Sequence, residues 1–160
     1  LIIGKTEGHI DQSLFARTIL DEKNGPPPEI NLFNEKNNGE SILNLIDKGY
    51  VKSAHDISLG GLLVAISKMC IKGNKGIKIN KSKNLINEIE YFFAEDQGRY
   101  LIEVNKEDLK EVTKILNKNS VHHEELGIIT QNDMIINEKT KVTIDELKSY
   151  YTNWLSKYMS

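Results

Sequence analysis

The chain has 160 residues, 39% of them hydrophobic and 28% charged, with a net charge of −2 and one cysteine, Cys70. That is about one domain's worth of chain with enough apolar side chains for a sizeable core, and it excludes collagenous, disulfide-rich and disordered classes. A pI near 6.1 leaves no electrostatic footprint for a nucleic acid or an anionic membrane, and no run of 18 apolar residues offers a membrane span.

Leu1-Ile2-Ile3-Gly4 reads as a strand and is too short for a signal-peptide core. Because the first residue is leucine rather than methionine, the chain is expected to be a fragment or a processed product. Residues 11–22 read as a helix capped by Asp11 or Ser13, with Leu14, Ile19 and Leu20 on its apolar side. Asn24-Gly25-Pro26-Pro27-Pro28-Glu29 is an extended strap that no helix crosses. Residues 34–48 read as a second helix burying Ile42, Leu43, Leu45 and Ile46, stopped by Gly49. A strand over 51–57 leads into a helix over 60–72 with Leu62, Leu63, Ile66, Met69 and Cys70 inward. A turn at Gly73-Asn74-Lys75-Gly76 precedes a strand at 77–79.

Residues 84–91 read as a short helix, 100–104 as a strand, and 106–118 as a helix with Leu109, Val112, Ile115 and Leu116 on one side. Strands at 123–130 and 133–137 flank a hairpin-like turn at Gln131-Asn132. The last helix, 144–158, places Leu147, Tyr151, Trp154 and Tyr158 at three- to four-residue steps, which reads as a core stripe. The interleaving predicts one α+β domain over 1–160, a mixed or antiparallel sheet with packed helices and some ferredoxin-like character.

Two stretches carry chemistry. In Ala54-His55-Asp56-Ile57-Ser58-Leu59-Gly60-Gly61-Leu62 a strand runs through polar residues and two glycines into an apolar helix. Exposed N–H groups at a helix start suit an anion such as a phosphate, and a capped strand-to-helix turn explains the same residues. No Walker pattern is present. Phe92-Phe93-Ala94-Glu95-Asp96-Gln97-Gly98-Arg99-Tyr100 places two acids, an amide and one of only two arginines before a strand. Those groups suit a magnesium ion or a ribose, and also an ordinary polar loop. His122 and His123 point to opposite strand faces and do not share a metal. Cys70 reads as core, and no nucleophile–base set is defined. Asn80-Lys81-Ser82 is formally a glycosylation sequon, set aside because no secretion signal accompanies it.

With both loops, the chain resembles the phosphoribosylformylglycinamidine synthase family. The first loop is similar to that family's His-Asp-(Val/Ile/Leu)-Ser-x-Gly-Gly-Leu sequence. Gly4-Lys5-Thr6-Glu7-Gly8-His9-Ile10-Asp11-Gln12-Ser13 resembles the start of its last domain, and Gly25-Pro26-Pro27-Pro28-Glu29 its proline strap. Glu95-Asp96-Gln97-Gly98-Arg99-Tyr100 resembles its acidic-x-Gln-x-Arg loop, and Trp154-Leu155-Ser156-Lys157-Tyr158-Met159 the end of the bacterial large subunit. The likeness runs in order along nearly all of the chain.

The resemblance implies a C-terminal domain of a longer cytoplasmic ligase of purine biosynthesis. That enzyme converts formylglycinamide ribonucleotide, with ATP, magnesium and ammonia from glutamine, to the amidine. Its implied partners are the preceding domains of the same chain, a glutaminase and small accessory subunits; neither nucleic acid nor membrane is among them. The implied substrate- or phosphate-binding residues are Ser13, His55, Asp56, Ser58, Gly60, Gly61, Glu95 and Gln97, in a common cleft, with His55 either touching ligand or packing inside. No catalytic residue is assigned, no metal ligand is named, and the isolated domain is expected to be inactive and to need no cofactor. Two departures weaken a phosphate cradle: Asp11-Gln12-Ser13-Leu14-Phe15 stands where many members have Gly-Gly-Ser-Glu-Tyr, and Asp96 stands where the sister domain has serine. The resemblance implies two pseudo-symmetric halves, of which this chain ends the second and its sister domain ends the first, and the site in this half then has a structural role, holding a nucleotide that is never turned over. The competing readings are a non-catalytic small-molecule-binding or assembly module, and the equivalent domain of a related enzyme such as aminoimidazole ribonucleotide synthetase.

Overall fold

The computed structural model describes residues 1–80 and 86–159. In chain order the elements are β1 (Ile2–Ile3), α1 (Leu14–Thr18), α2 (Leu32–Asp47), β2 (Val51–Asp56), α3 (Gly61–Gly73), β3 (Gly76–Ile79) and α4 (Glu88–Phe93). There follow β4 (Tyr100–Val104), α5 (Leu109–Lys118), β5 (His123–Glu124), β6 (Gly127–Thr130), β7 (Asp133–Ile136), β8 (Thr140–Thr143) and α6 (Ile144–Met159). The described residues form two compact units, one from 1–65 and 86–125, the other from 66–80 and 126–159. The chain is α+β, as expected, and builds two four-stranded sheets, one in each unit.

The first unit's sheet has the order β2-β4-β1-β5, with every neighbouring pair antiparallel. With α2 between β1 and β2, and α5 between β4 and β5, this is the split βαβ arrangement of ferredoxin-like folds. The core beneath it is Ile3, Ile42, Leu45, Ile102, Val112, Leu116 and Val121. Val112 and Leu116 recur at the four-residue step that turns one face of α5 inward, as the periodicity predicts. On α2 a three-residue step buries Ile42 and Leu45, whereas Leu43 and Ile46 are exposed. Four apolar residues in a row of five cannot all share a face with a 3.6-residue period.

The second unit's sheet is mixed: β6 and β7 flank β3, antiparallel and parallel respectively, and β8 pairs antiparallel with β7. The expected hairpin about Gln131-Asn132 is therefore absent, because β3 inserts between its two strands. The hairpin is instead β7–β8, and its turn residues Asn137 and Glu138 both have positive φ, as type I′ geometry requires. The single strand expected over 123–130 is two, β5 and β6, one in each sheet.

The first helix is five residues, not twelve. Gln12 and Asp21 adopt positive φ on either side of it, and Ser13 is the cap, its Oγ accepting from the Ala16 N–H at 3.1 Å. Leu14, Ile19 and Leu20, read as its apolar side, are exposed. The proline strap is held by side chains: His9 Nε2–H donates to the Pro26 carbonyl at 2.9 Å, and Gln12 Nε2 donates to the Lys23 and Gly25 carbonyls. The helix expected over 84–91 is α4, capped by Asn87 in a reciprocal capping box with Glu90. Residues 84 and 85 of that reading, and Lys81-Ser82 of the sequon, lie outside the described residues. On α6 the stripe read as core is exposed at Tyr151, Trp154 and Tyr158. Among the described residues no helix is long and apolar enough to cross a membrane.

In a polypeptide that begins at Leu1, the Leu1 ammonium occupies a strand position, donating to the Ile102 carbonyl at 2.8 Å while Leu1 O accepts from the Ile102 N–H. Burial pushes its pKa from 8.0 down to about 6, against the opposing pull of Glu125, Glu103 and Glu124. Between those values the unfolded chain binds more protons than the folded one, so stability rises with pH across that window and is lost as pH falls through it. For a polypeptide beginning at Leu1, urea unfolding is expected to show a gain of up to about 2–3 kcal/mol from pH 6 to 8.5. An Nα-acetylated form should lack that gain; equal pH slopes in the two forms would contradict it.

Candidate functional site

The loop after α4 folds around Arg99, which is 1% exposed. Its Nη2 donates to the Ala94 carbonyl at 2.5 Å, its Nε to the Asp96 carbonyl at 3.3 Å, and its Nη1 to Thr6 Oγ1 at 3.1 Å. Burial lowers the guanidinium pKa, and the Asp96 carboxylate, 3.8 Å from Nε, works against that. Asp96 is buried too. Its Oδ2 accepts from the Glu7 and Gly8 N–H groups at 3.0 and 3.2 Å, and its Oδ1 from the His9 N–H at 3.0 Å. The acid that the sequence presents as a phosphate repellent is thus committed to three backbone amides and a buried arginine.

Glu95, one residue earlier, reaches the other way. Its Oε1 accepts from the Leu14 N–H at 2.7 Å and the Gly60 N–H at 2.8 Å. One carboxylate oxygen therefore joins the start of α1 to the turn before α3. This brings together three expected site residues: Ser13, the buried cap of α1, Gly60 and Glu95. Gly61 donates its N–H to the Ser58 carbonyl at 2.9 Å. The Gly60 and Gly61 amides expected to meet an anion are both engaged by the protein itself.

The glycine at 61 has a local cause. Its φ is +71°, and a Cβ there would lie 2.7 Å from the Ala94 carbonyl oxygen and the Phe93 carbonyl carbon. The backbone that approaches Gly61 is the end of α4, so this glycine is explained without a ligand.

The remaining expected residues gather elsewhere. Asp56, Ser58 and Gln97 line a small pocket of about 140 Å³ with Glu35, Ile57, Gly98, Arg99 and Tyr100. The N-terminal turn of α2 supplies Glu35, and Asn38 on the same helix donates to the Gly98 carbonyl at 2.9 Å, fixing the Gln97–Gly98 loop against it. The Tyr100 phenol is pushed up by desolvation and then by the nearby Glu35 and Asp56 charges, so it stays protonated. His55 lies on the half-buried face of β2, with Nδ1 2.5 Å from the Asp56 carbonyl and 3.3 Å from Asp56 Oδ1. It orients Asp56 and does not line the pocket. A shallower hollow of about 520 Å³ over Ile10 and residues 87–90 contains none of the expected residues.

Two carboxylates, a phenol, a hydroxyl and an amide form a surface of acceptors and neutral donors. It suits ribose hydroxyls or amide N–H groups and opposes a phosphate, since the only cation in the lining, Arg99, is already bonded. Among the described residues no three His, Cys, Asp or Glu side chains are grouped to hold a metal. Sequence reasoning missed Glu35 and Tyr100. Tyr100 closes a stretch already singled out but is not among its expected ligand contacts; nothing in the helix pattern marks Glu35.

The family described as "AIR synthase related protein, C-terminal domain" matches residues 2–137. The chain is 66% identical over 159 residues to phosphoribosylformylglycinamidine synthase subunit PurL of Pelagibacter ubique strain HTCC1062, covering 99% of this chain and 22% of that protein. The chain thus spans about a fifth of that relative's length. Three solved structures share the fold over 91% of the chain: T. maritima PurL complexed with FGAR (TM-score 0.74, 21% identity, 27% of that chain), the same protein complexed with ATP (0.66, 18%, 24%), and PurLQS from Thermotoga maritima (0.67, 20%, 25%).

The two loop residues Gly61 and Ser58 separate packing from ligand contact. Gly61→Ala combines a strained φ with a backbone collision and is expected to cost at least about 2 kcal/mol of unfolding free energy. Ser58→Ala, at an exposed position, is expected to cost under about 1 kcal/mol. Thermal and urea unfolding of both variants checks this; a Gly61→Ala protein as stable as the parent would show that the α4 contact does not constrain the loop.

Proposed function

The chain belongs to the AIR synthase related protein C-terminal domain family, and from that premise we propose that residues 1–160 are the C-terminal domain of a phosphoribosylformylglycinamidine synthase. The observation that carries this is the 66% identity with a PurL subunit across 99% of the chain. The whole enzyme is a cytoplasmic ligase of purine biosynthesis that uses ATP to convert formylglycinamide ribonucleotide and ammonia to the amidine. Phosphorylation of the amide oxygen makes phosphate the leaving group, and ammonia displaces it. A glutaminase supplies the ammonia, and small accessory subunits complete the assembly, in keeping with the PurLQS structure of a protein of the same fold.

Within that enzyme this domain supplies contacts, not the reacting groups. Asp56, Ser58, Gln97, Glu35 and Tyr100 form one wall for the ribose or amide part of the ribonucleotide. Ser13, Gly60, Gly61 and Glu95 hold that wall in place through the Glu95 bridge and the Gly61 contact, and His55 positions Asp56. ATP and magnesium do not fit the described residues of this chain: the Gly60 and Gly61 amides are engaged, the pocket is smaller than a nucleotide, and no metal-ligand set is assembled among the described residues. No step is therefore assigned to either through this domain. A chain of residues 1–160 alone brings no γ-phosphate, amide and ammonia together.

Two measurements test this. Purified 1–160 is expected to give no ATP- and ribonucleotide-dependent phosphate release, and turnover by it would overturn the reading. In the full-length polypeptide, Asp56→Asn and Gln97→Ala are each expected to raise the KM for the ribonucleotide about tenfold, the loss of roughly one charged or two neutral hydrogen bonds, with the KM for ATP unchanged. Variants that keep the parent's thermal midpoint and both KM values would remove the pocket from the substrate site.

A further inference from the structure

The apolar stripe of α6 changes environment along its length. Ile144 is 4% exposed and Leu147 is half-buried, whereas Tyr150 is 73%, Trp154 60% and Tyr158 84% exposed, with Tyr151 also in the open. At 100° per residue, Leu147, Tyr150, Tyr151, Trp154 and Tyr158 fall within an arc of about 100°. One helix face is thus covered at its start and bare over its last turns, and the bare part is aromatic. The family match ends at residue 137, before this helix, while the identity with the Pelagibacter relative extends over 159 residues. The helix lies outside the matched family region and inside the stretch shared with the long synthase relative.

We propose that the Tyr150–Trp154–Tyr158 face of α6 is a docking surface for the polypeptide that precedes Leu1 in the same synthase chain. This rests on the reading of residues 1–160 as the C-terminal domain of a longer protein. The occupant follows from size. Four partly exposed aromatic rings offer about 500 Å² to a partner, each ring contributing at most 150–250 Å². A stable interface between separate molecules needs about 800 Å² from each side, so a second copy meeting this face alone falls short. A covalently linked surface needs less, because tethering replaces the entropy cost of association with an effective concentration. This chain is 22% of the relative's length, so four-fifths of such a polypeptide is tethered to this domain and is the nearest source of a covering surface. The facing surface must be an apolar groove with polar acceptors at its edge, since the tyrosine hydroxyls and the indole N–H need partners once covered.

The test is hydroxyl-radical footprinting, read by mass spectrometry, of the purified full-length polypeptide without any other subunit. Trp154 and Tyr158 are expected to be modified at least about fivefold more slowly in the native protein than in the same protein in denaturant, at every protein concentration. A second readout is cross-linking from a photoreactive phenylalanine placed at Tyr158, which should map to peptides upstream of Leu1. Modification rates near the denatured ones overturn the proposal. So does protection that grows with protein concentration, which marks a second copy, or that needs another subunit, which marks a partner protein. A native polypeptide of only 18.2 kDa would instead overturn the synthase reading itself, so the two failures are distinguishable.

Discussion

The pair Arg99 and Asp96 organises everything that surrounds the candidate site. A guanidinium removed from water is tolerated only when its donors are matched, and here they reach the Ala94 and Asp96 carbonyls of its own loop and the hydroxyl of Thr6. Asp96 returns the charge and uses its lone pairs on three consecutive amides of the segment after β1. The consequence is geometric: the segment leading to Ser13, the end of α4 and the start of β4 are pinned to one another. Glu95 and Gln97, on either side of Asp96, are then sent in different directions, one to the Leu14 and Gly60 amides, the other to the pocket.

That division corrects the idea of one phosphate cleft. A carboxylate already occupies the position an anion would take at the Gly60 amide, held by charge-assisted hydrogen bonds of the strength a phosphate would make there. An incoming phosphate would have to displace an internal group of like charge. The chemistry left open is that of the Asp56, Ser58 and Gln97 pocket, where a neutral polyol or amide meets acceptors without electrostatic opposition.

The ferredoxin-like arrangement was legible because it rests on period. Val112 with Leu116 on α5, and Ile42 with Leu45 on α2, declare their faces by spacing alone. Of the candidate site, the two loops made Asp56, Ser58 and Gln97 visible in the sequence, and these three line one pocket. Glu35 was invisible because its role depends on Asn38 bonding the Gly98 carbonyl, a contact 60 residues apart in sequence. Pairing in the second sheet was misread for a similar reason. Adjacent strands β6 and β7 look like a hairpin, and only the earlier β3 between them shows otherwise. The α6 stripe misled because helical periodicity reports that a face is apolar, not what covers it.

The placement of β3 also sets an order of events during synthesis. Its residues leave the ribosome before both of its sheet neighbours, β6 and β7, which are made roughly fifty residues later, after a loop whose closure carries an entropy cost. Ordinary translation speeds make that a delay of several seconds. The first unit has all four of its strands by Glu124 and can condense in that interval. Ile77 and Ile79 wait on an unpaired strand until β6 and β7 emerge, so Gly76–Ile79 is a bare strand edge of the nascent chain that a chaperone would shield.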